Sequence, residues 1–316
     1  MGLTALAALN IEKVLEKIKE LPTLPDVVFR VNEVVNNPKT SAVDLEEVIS
    51  RDQAIAAKVL KMVNSAFYGL PGRVDTLARA IPLLGFSTVR NIVMSVSIFD
   101  TGPIENFDMK QFWRHSFGTS VVARAIAVSE GLPDADSQSL AGLLHDMGKV
   151  LLFQYYSKEY EKVASLMERK KTTFIRAERE LYLIDHAEVG GALATRWGFP
   201  PNITSSIAYH HNPEPAGDLI DFVSVTATAN VLSQIGSQNG IFAIHGGYES
   251  MSEACRSFHP LRESTFDAVV AELSKQMQFF DNFIDRMELF RRPSPLIEME
   301  NQKARNKASI WTLPER

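Results

Sequence analysis

Cysteine is all but missing from this chain: Cys255 is the only one in 316 residues. That excludes a disulfide framework within the chain and a cysteine-ligated zinc site, and a reducing, cytoplasmic compartment is the expectation. No stretch reaches about 18 consecutive apolar residues, so no membrane-spanning helix is expected. The opening MGLTALAALN has neither the basic start nor the long apolar run of a secretory leader, and Leu6 stands where a myristoylation signal needs Ser or Thr. Positive charge is not in excess either. Lysine and arginine number 33 against 38 acidic residues, a net charge of −5, which speaks against a nucleic-acid binder working through bulk charge. Neither nucleic acid nor a membrane is expected as a partner. Hydrophobic residues at 45% and charged residues at 22% describe an ordinary globular chain, neither disordered nor collagen-like. The length suits about two domains.

What is present is helical periodicity. Apolar residues at 11, 14, 15 and 18 form one stripe of a first helix over 11–20, which Pro22 and Pro25 stop. A second helix is expected over 27–35. Ser41 opens a third, with Asp44 three positions on as in a capping box. Ile55, Val59, Met62 and Val63 mark the next stripe, and two short helices follow over 77–84 and 87–99. After a turn-rich break at 100–109, helices are expected at about 110–130, 137–156, 158–170, 173–183, 186–197, 201–211, 217–236 and 264–290. The glycine-rich 236–247 reads as a loop. The fold class is all-α, with an N-terminal helical subdomain over 1–105, a helical core over 106–290 and a polar tail over 291–316.

The candidate chemistry lies in histidine. His115 shares a helix face with Thr119, Val122 and Ile126, where a satisfied core histidine is the simplest reading. His145 and Asp146 sit in AGLLHDMGKVLL, among apolar residues that predict burial. Lys149 is either a phosphate-neutralising group or the partner of Asp146, and Gly148 lets another backbone approach. Imidazole with carboxylate is a natural ligand set for a divalent transition metal, and a structural His–Asp–Lys network is the alternative. Asp185 and Glu188 fit a capping box, which places His186 in the first turn of its helix. His210 and His211 end PPNITSSIAYHH, where they either complement a helix dipole or join the others. Helices of a bundle commonly contribute one or two inward ligands each to a metal site. Two ions held in this way clamp a phosphoester and activate water.

HDMGK at 145–149, with His115 before it and His186 and His210–His211 after it, resembles the HD superfamily of metal-dependent phosphohydrolases. The front half is more specific. LPTLP at 21–25, RDQAIAAKVLKMVNSAFYG at 51–69 and ARAIPLLGFSTVRNIV at 78–93 resemble the HD-related output domain, HDOD, and the likeness covers about residues 11–235. The resemblance implies an HD-like helical core with an N-terminal helical subdomain. It also implies a bacterial, cytoplasmic signal-transduction module that binds a protein partner or a small effector without catalysis. His115, His145, Asp146, His186, His210 and His211 match the metal-site pattern of related HD-GYP domains, with iron, manganese, zinc or nickel as the implied ion. The alternative it carries is a metal-dependent phosphohydrolase acting on a nucleotide or cyclic dinucleotide, with Asp146 and Lys149 as the catalytic residues. Two departures favour the regulatory reading. Asn230 (or Ala229) stands where the catalytic pattern ends in Asp, and NPEPAGDL after His211 contains no GYP. The apolar LPTLP and NSAFYG segments, with Phe67 and Tyr68, and the amphipathic stretch 264–290 are candidate partner surfaces or packing elements.

Overall fold

The computed structural model describes residues 26–37, 39–63, 74–86, 107–237 and 258–286, with positions 14, 16, 89–90, 92–94 and 104. LPTLP, NSAFYG, the 238–247 part of the loop, the polar tail and most of the 11–20 and 87–99 helices lie outside the described residues. So do the side chains of Phe280, Phe283 and Phe290. Every regular element among the described residues is helical. No described helix is long and apolar enough to cross a membrane. The chain divides into two compact units, one built from residues 21–102 with 276–286 and the other from residues 103–275.

In the first unit, α1 (Asp26–Asn36), α2 (Ala42–Ser50), α3 (Gln53–Val63) and α4 (Leu77–Leu84) are short amphipathic helices. Their inward stripes bury Val31, Leu45, Ile49, Val59, Val63, Leu77 and Ile81. The expected capping box forms: the Ser41 hydroxyl accepts from Asp44 N, and the Asp44 carboxylate accepts from Ser41 N at 2.8 Å. This satisfies donors that the start of α2 would otherwise leave open.

The second unit is organised by α5 (Met109–Glu130), 22 residues long and buried over much of its girth. Asp108 caps its start, accepting from Gln111 N at 3.0 Å. Gly131 ends it in the left-handed conformation at φ 68, which glycine adopts without a Cβ penalty. Next come α6 (Ala135–Leu144), α7 (Met147–Tyr155), α8 (Ser157–Lys170), α9 (Phe174–Tyr182), α10 (His186–Arg196) and α11 (Pro201–Tyr209). A 3-10 turn over Glu214–Leu219 leads into α12 (Ile220–Ser237), and α13 (Glu263–Arg286) ends the described chain. α5 packs along α6 and α12, while α10 packs on α7 and α11. The single helix expected over 137–156 is two. His145 closes α6, and Asp146 turns the backbone at φ −97, ψ 9 before α7 begins. Asp146 does not cap α7, because its carboxylate is engaged elsewhere.

Candidate metal centre

Glycine brings the helices close enough for their histidines to meet. A Cβ at Gly148 would lie 2.0 Å from the His186 carbonyl oxygen, so the first turns of α7 and α10 touch backbone to backbone. A Cβ at Gly142 would lie 2.7 Å from the Thr119 carbonyl, which seats α6 against the His115 end of α5. The Asp185–Glu188 capping box fixes the start of α10 and delivers His186 at its first position. Pro201 opens α11, whose far end carries His210 and His211.

The six candidate ligands converge around Asp146. Its Oδ2 faces His145 Nε2 at 3.4 Å and His115 Nε2 at 3.6 Å. Its Oδ1 faces His186 Nε2 at 3.1 Å and His210 Nε2 at 3.6 Å. Asp146 is thereby shared between two groups of potential metal ligands, His115–His145–Asp146 and Asp146–His186–His210–His211. In each group one imidazole pair stands close: His115 Nε2 to His145 Nε2 at 3.1 Å, and His211 Nε2 to His186 Nε2 at 3.0 Å. His145, Asp146, His186 and His210 are buried, while His115 and His211 sit at the partly exposed rim.

Each inner ring is held from behind. His145 Nδ1 donates to the Gly142 carbonyl at 2.7 Å, and His210 Nδ1 to the Ile207 carbonyl at 2.9 Å. His186 Nδ1 donates to Glu178 at 2.6 Å. Ser233 Oγ lies 3.2 Å from His115 Nδ1 and 2.7 Å from Thr119 Oγ1. Occupying Nδ1 directs the lone pair of a neutral ring to Nε2, the atom that faces the cluster in all four.

Lys149 donates to Asp146 Oδ2 at 2.7 Å, so it serves as the partner of that carboxylate. Its ammonium also lies 5.4 Å from the centre of the Phe174 ring. Burial alone would push the Asp146 carboxyl up, but the adjoining His145 and the Lys149 ammonium hold it well below the usual carboxylate range. Burial pushes His186 down, and the Glu178 carboxylate overcomes it and raises the ring to about 9. His210 goes the other way: burial and the neighbouring His211 hold it well below its ordinary value.

The donor set fits a divalent transition metal. Asp146 Oδ1 and His210 Nε2 are buried and make no hydrogen bond. The 3.1 Å approach of His186 Nε2 to Oδ1 is therefore a charge contact without hydrogen-bond alignment. Buried polar atoms without partners are costly, and a cation at that point would satisfy both. Two imidazole nitrogens on one ion at ~2.0–2.1 Å stand roughly 3 Å apart, which suits the close pairs described above.

All six expected ligands and Lys149 thus come together in one place. Asn230 is buried on α12, and its backbone carbonyl accepts from Ser233 Oγ at 2.9 Å. Ser233, one turn further on, is the residue that meets His115. Glu178 and Ser233 escaped the sequence reading. The signal for Glu178 was a carboxylate on an apolar stripe, since Phe174, Ala177, Glu178 and Tyr182 are the buried positions of α9.

The HDOD domain family model matches residues 21–213 of this chain. A curated relative from Treponema pallidum, of no described function, is 27% identical over 218 residues. The match takes in 68% of this chain but 42% of the relative, so the chain spans less than half of that protein's length. Among solved structures, an HDOD domain protein of unknown function from Geobacter sulfurreducens is 25% identical with a TM-score of 0.65. That likeness covers 96% of this chain and 97% of the other. A candidate signal transduction protein from Marinobacter aquaeolei is also 25% identical, with a TM-score of 0.67, over 86% of this chain and 61% of its own.

Proposed function

The chain belongs to the HDOD domain family, and on that premise we propose that it is a signal-transduction module whose helical core carries a divalent-metal centre. It acts by binding a protein partner or a small effector. The observation that carries the metal is the buried meeting of His145, Asp146, His186 and His210, with Asp146 Oδ1 and His210 Nε2 left without hydrogen bonds. The likeness to the Marinobacter protein supports the signalling role. A metal here would tie together α5, α6, α7, α10 and α11. An ion that binds only the folded chain stabilises it, so occupancy would couple to the state of the core. His115, His145, Asp146, His186, His210 and His211 would hold it, and iron, manganese, zinc and nickel all suit the mixed imidazole–carboxylate set.

The test is metal content. The protein is purified without added metal, and iron, manganese, zinc and nickel are quantified per chain, with His145→Ala and Asp146→Ala beside it. Stoichiometric metal in the native protein and none in either variant is expected. A folded native protein that binds no ion when offered each in turn would reduce the cluster to a hydrogen-bond network.

The sharing of Asp146 between two ligand groups favours a second reading, a metal-dependent phosphohydrolase acting on a nucleotide or cyclic dinucleotide. Paired ions supply Lewis acidity and an activated water. Against it stands the donor set, in which Asp146 is the one carboxylate. Turnover of a phosphodiester by the metal-loaded protein, abolished by Asp146→Ala, would establish this reading over the first.

A further inference from the structure

The two halves of the ligand cluster are backed differently, and the difference lies in the groups that stand behind the rings, at Nδ1. Glu178 is fully buried on α9. Its Oε2 accepts from His186 Nδ1 at 2.6 Å and from the His186 backbone N at 3.3 Å, and its Oε1 accepts from the Tyr160 hydroxyl at 2.7 Å. Tyr160 on α8 is itself buried. A chain of groups therefore runs from Tyr160 through Glu178 to His186, ending at the Nε2 that faces Asp146. In the other half, among the described residues, neutral groups stand behind the rings: the Ser233 hydroxyl lies 3.2 Å from His115 Nδ1, and the Gly142 carbonyl accepts from His145 Nδ1 at 2.7 Å.

A carboxylate behind a ligating imidazole does two things. It fixes the tautomer and ring direction, and it makes the ring a stronger donor by stabilising positive charge on it. The second effect matters in this chain because Asp146 is the only anion among the six ligand positions. Glu178 supplies, from behind His186, negative charge that the ligand set itself lacks.

Resting on the metal-centre reading above, we propose that Glu178 is a positioning residue that makes Asp146–His186–His210–His211 the tighter of two unequal metal pockets, with His115–His145–Asp146 the weaker. Tyr160 anchors the free oxygen of Glu178 and contributes a smaller share. The chain then takes up one ion before a second, and the first lodges on the α10–α11 side.

The probe is cobalt(II), titrated into chelator-treated full-length protein and followed by equilibrium dialysis and by its visible ligand-field bands. Native protein is expected to show a tight and a weak class of site. Glu178→Gln keeps the shape and removes the charge, so the tight class should weaken by roughly 10–100-fold and its bands should shift, with the weak class unchanged. Tyr160→Phe should weaken the same class by a few-fold. His115→Ala should abolish the weak class and leave the tight one. Circular dichroism and melting in chelator check that each variant is folded, and a merely structural role for Glu178 would lower both classes together. Native protein that binds no cobalt overturns the metal-centre reading itself. Native protein with two classes, of which Glu178→Gln alters neither or both alike, leaves the metal centre standing and overturns the role given to Glu178.

Discussion

The helices of residues 26–84 and those of residues 109–237 solve burial in opposite ways. In the first group the core is aliphatic, and the charges are solvated: Arg51–Glu47 and Arg79–Asp75 are exposed pairs one helical turn apart. Such pairs contribute little, so this region is held by apolar area and by end caps. In the second group Asp146, Lys149, Glu178, Asp185, His145, His186 and His210 are all buried. A dry interior gains nothing in stability from so many ionisable groups over a well-packed apolar one, since desolvation offsets much of their mutual attraction. The contrast teaches that one region is organised for stability and the other for a site.

Asp146→Ala should break the contrast most severely. It removes the anion that Lys149, His145 and His186 all face, leaving a buried ammonium without its carboxylate. Deleting one partner of a buried pair costs about 3–5 kcal/mol, and urea unfolding in chelator should show a loss of that order. A loss below about 1 kcal/mol would mean that water already reaches the cluster. Gly148→Ala follows. Its Cβ would meet the His186 carbonyl, a backbone atom that cannot swing away, so α7 and α10 must part. A cost of roughly 3 kcal/mol or more is expected, with metal binding lost. Ala at Gly131, where nothing stands within 4 Å, strains only the left-handed φ of 68 and should cost about 1 kcal/mol with metal binding intact.

Much of the site was legible in the sequence because its signals are local and rare. Histidines are few, and five of them fall in or beside apolar helices; the capping boxes at Ser41 and Asp185 are fixed spacings that the structure reproduces. The break at His145–Asp146 was not legible. AGLLHDMGKVLL has apolar residues on nearly every face and reads as one continuous helix, whereas the Asp146 side chain at the turn faces His186 and His210, groups distant in sequence. Glu178 was hidden for another reason: in RAERELY it stands in a charged stretch with Arg176, Arg179 and Glu180 and reads as one more solvated charge. Its place on the stripe of Phe174, Ala177 and Tyr182 marks it for burial, but nothing local in sequence names Tyr160 and His186 as the groups that meet it.

The pH profile of the metal-free protein sharpens the comparison further. The folded chain holds the His186 proton more tightly than the unfolded chain, up to about 9 against an ordinary 6.5. That contribution is complete below pH 6.5 and is lost as pH rises through 9, a swing of at most about 3 kcal/mol. His210 has its value lowered, so its contribution is present above 6.5 and is lost as pH falls. Stability in chelator should therefore peak near pH 6.5 and fall on both sides. His186→Gln should remove the alkaline descent, and a descent that survives it would place the titrating group elsewhere. The helices of residues 26–84 contain no described histidine and should be insensitive over the same range.

Ser41→Ala gives the smallest effect and isolates the other side of the comparison. The Ser41 hydroxyl accepts from Asp44 N and donates to the Asp44 carboxylate at 2.8 Å, and that same carboxylate accepts from Ser41 N. Alanine removes the hydroxyl and leaves the start of α2 with an open donor, a loss of about 1 kcal/mol. The local nature of the box makes the prediction sharp: unfolding of the 26–84 helices should shift by that amount, while cobalt affinity and the pH optimum stay where they are. A change in metal binding from this exposed cap would mean that the aliphatic region and the histidine cluster are energetically linked, and the division of labour drawn between them would fail.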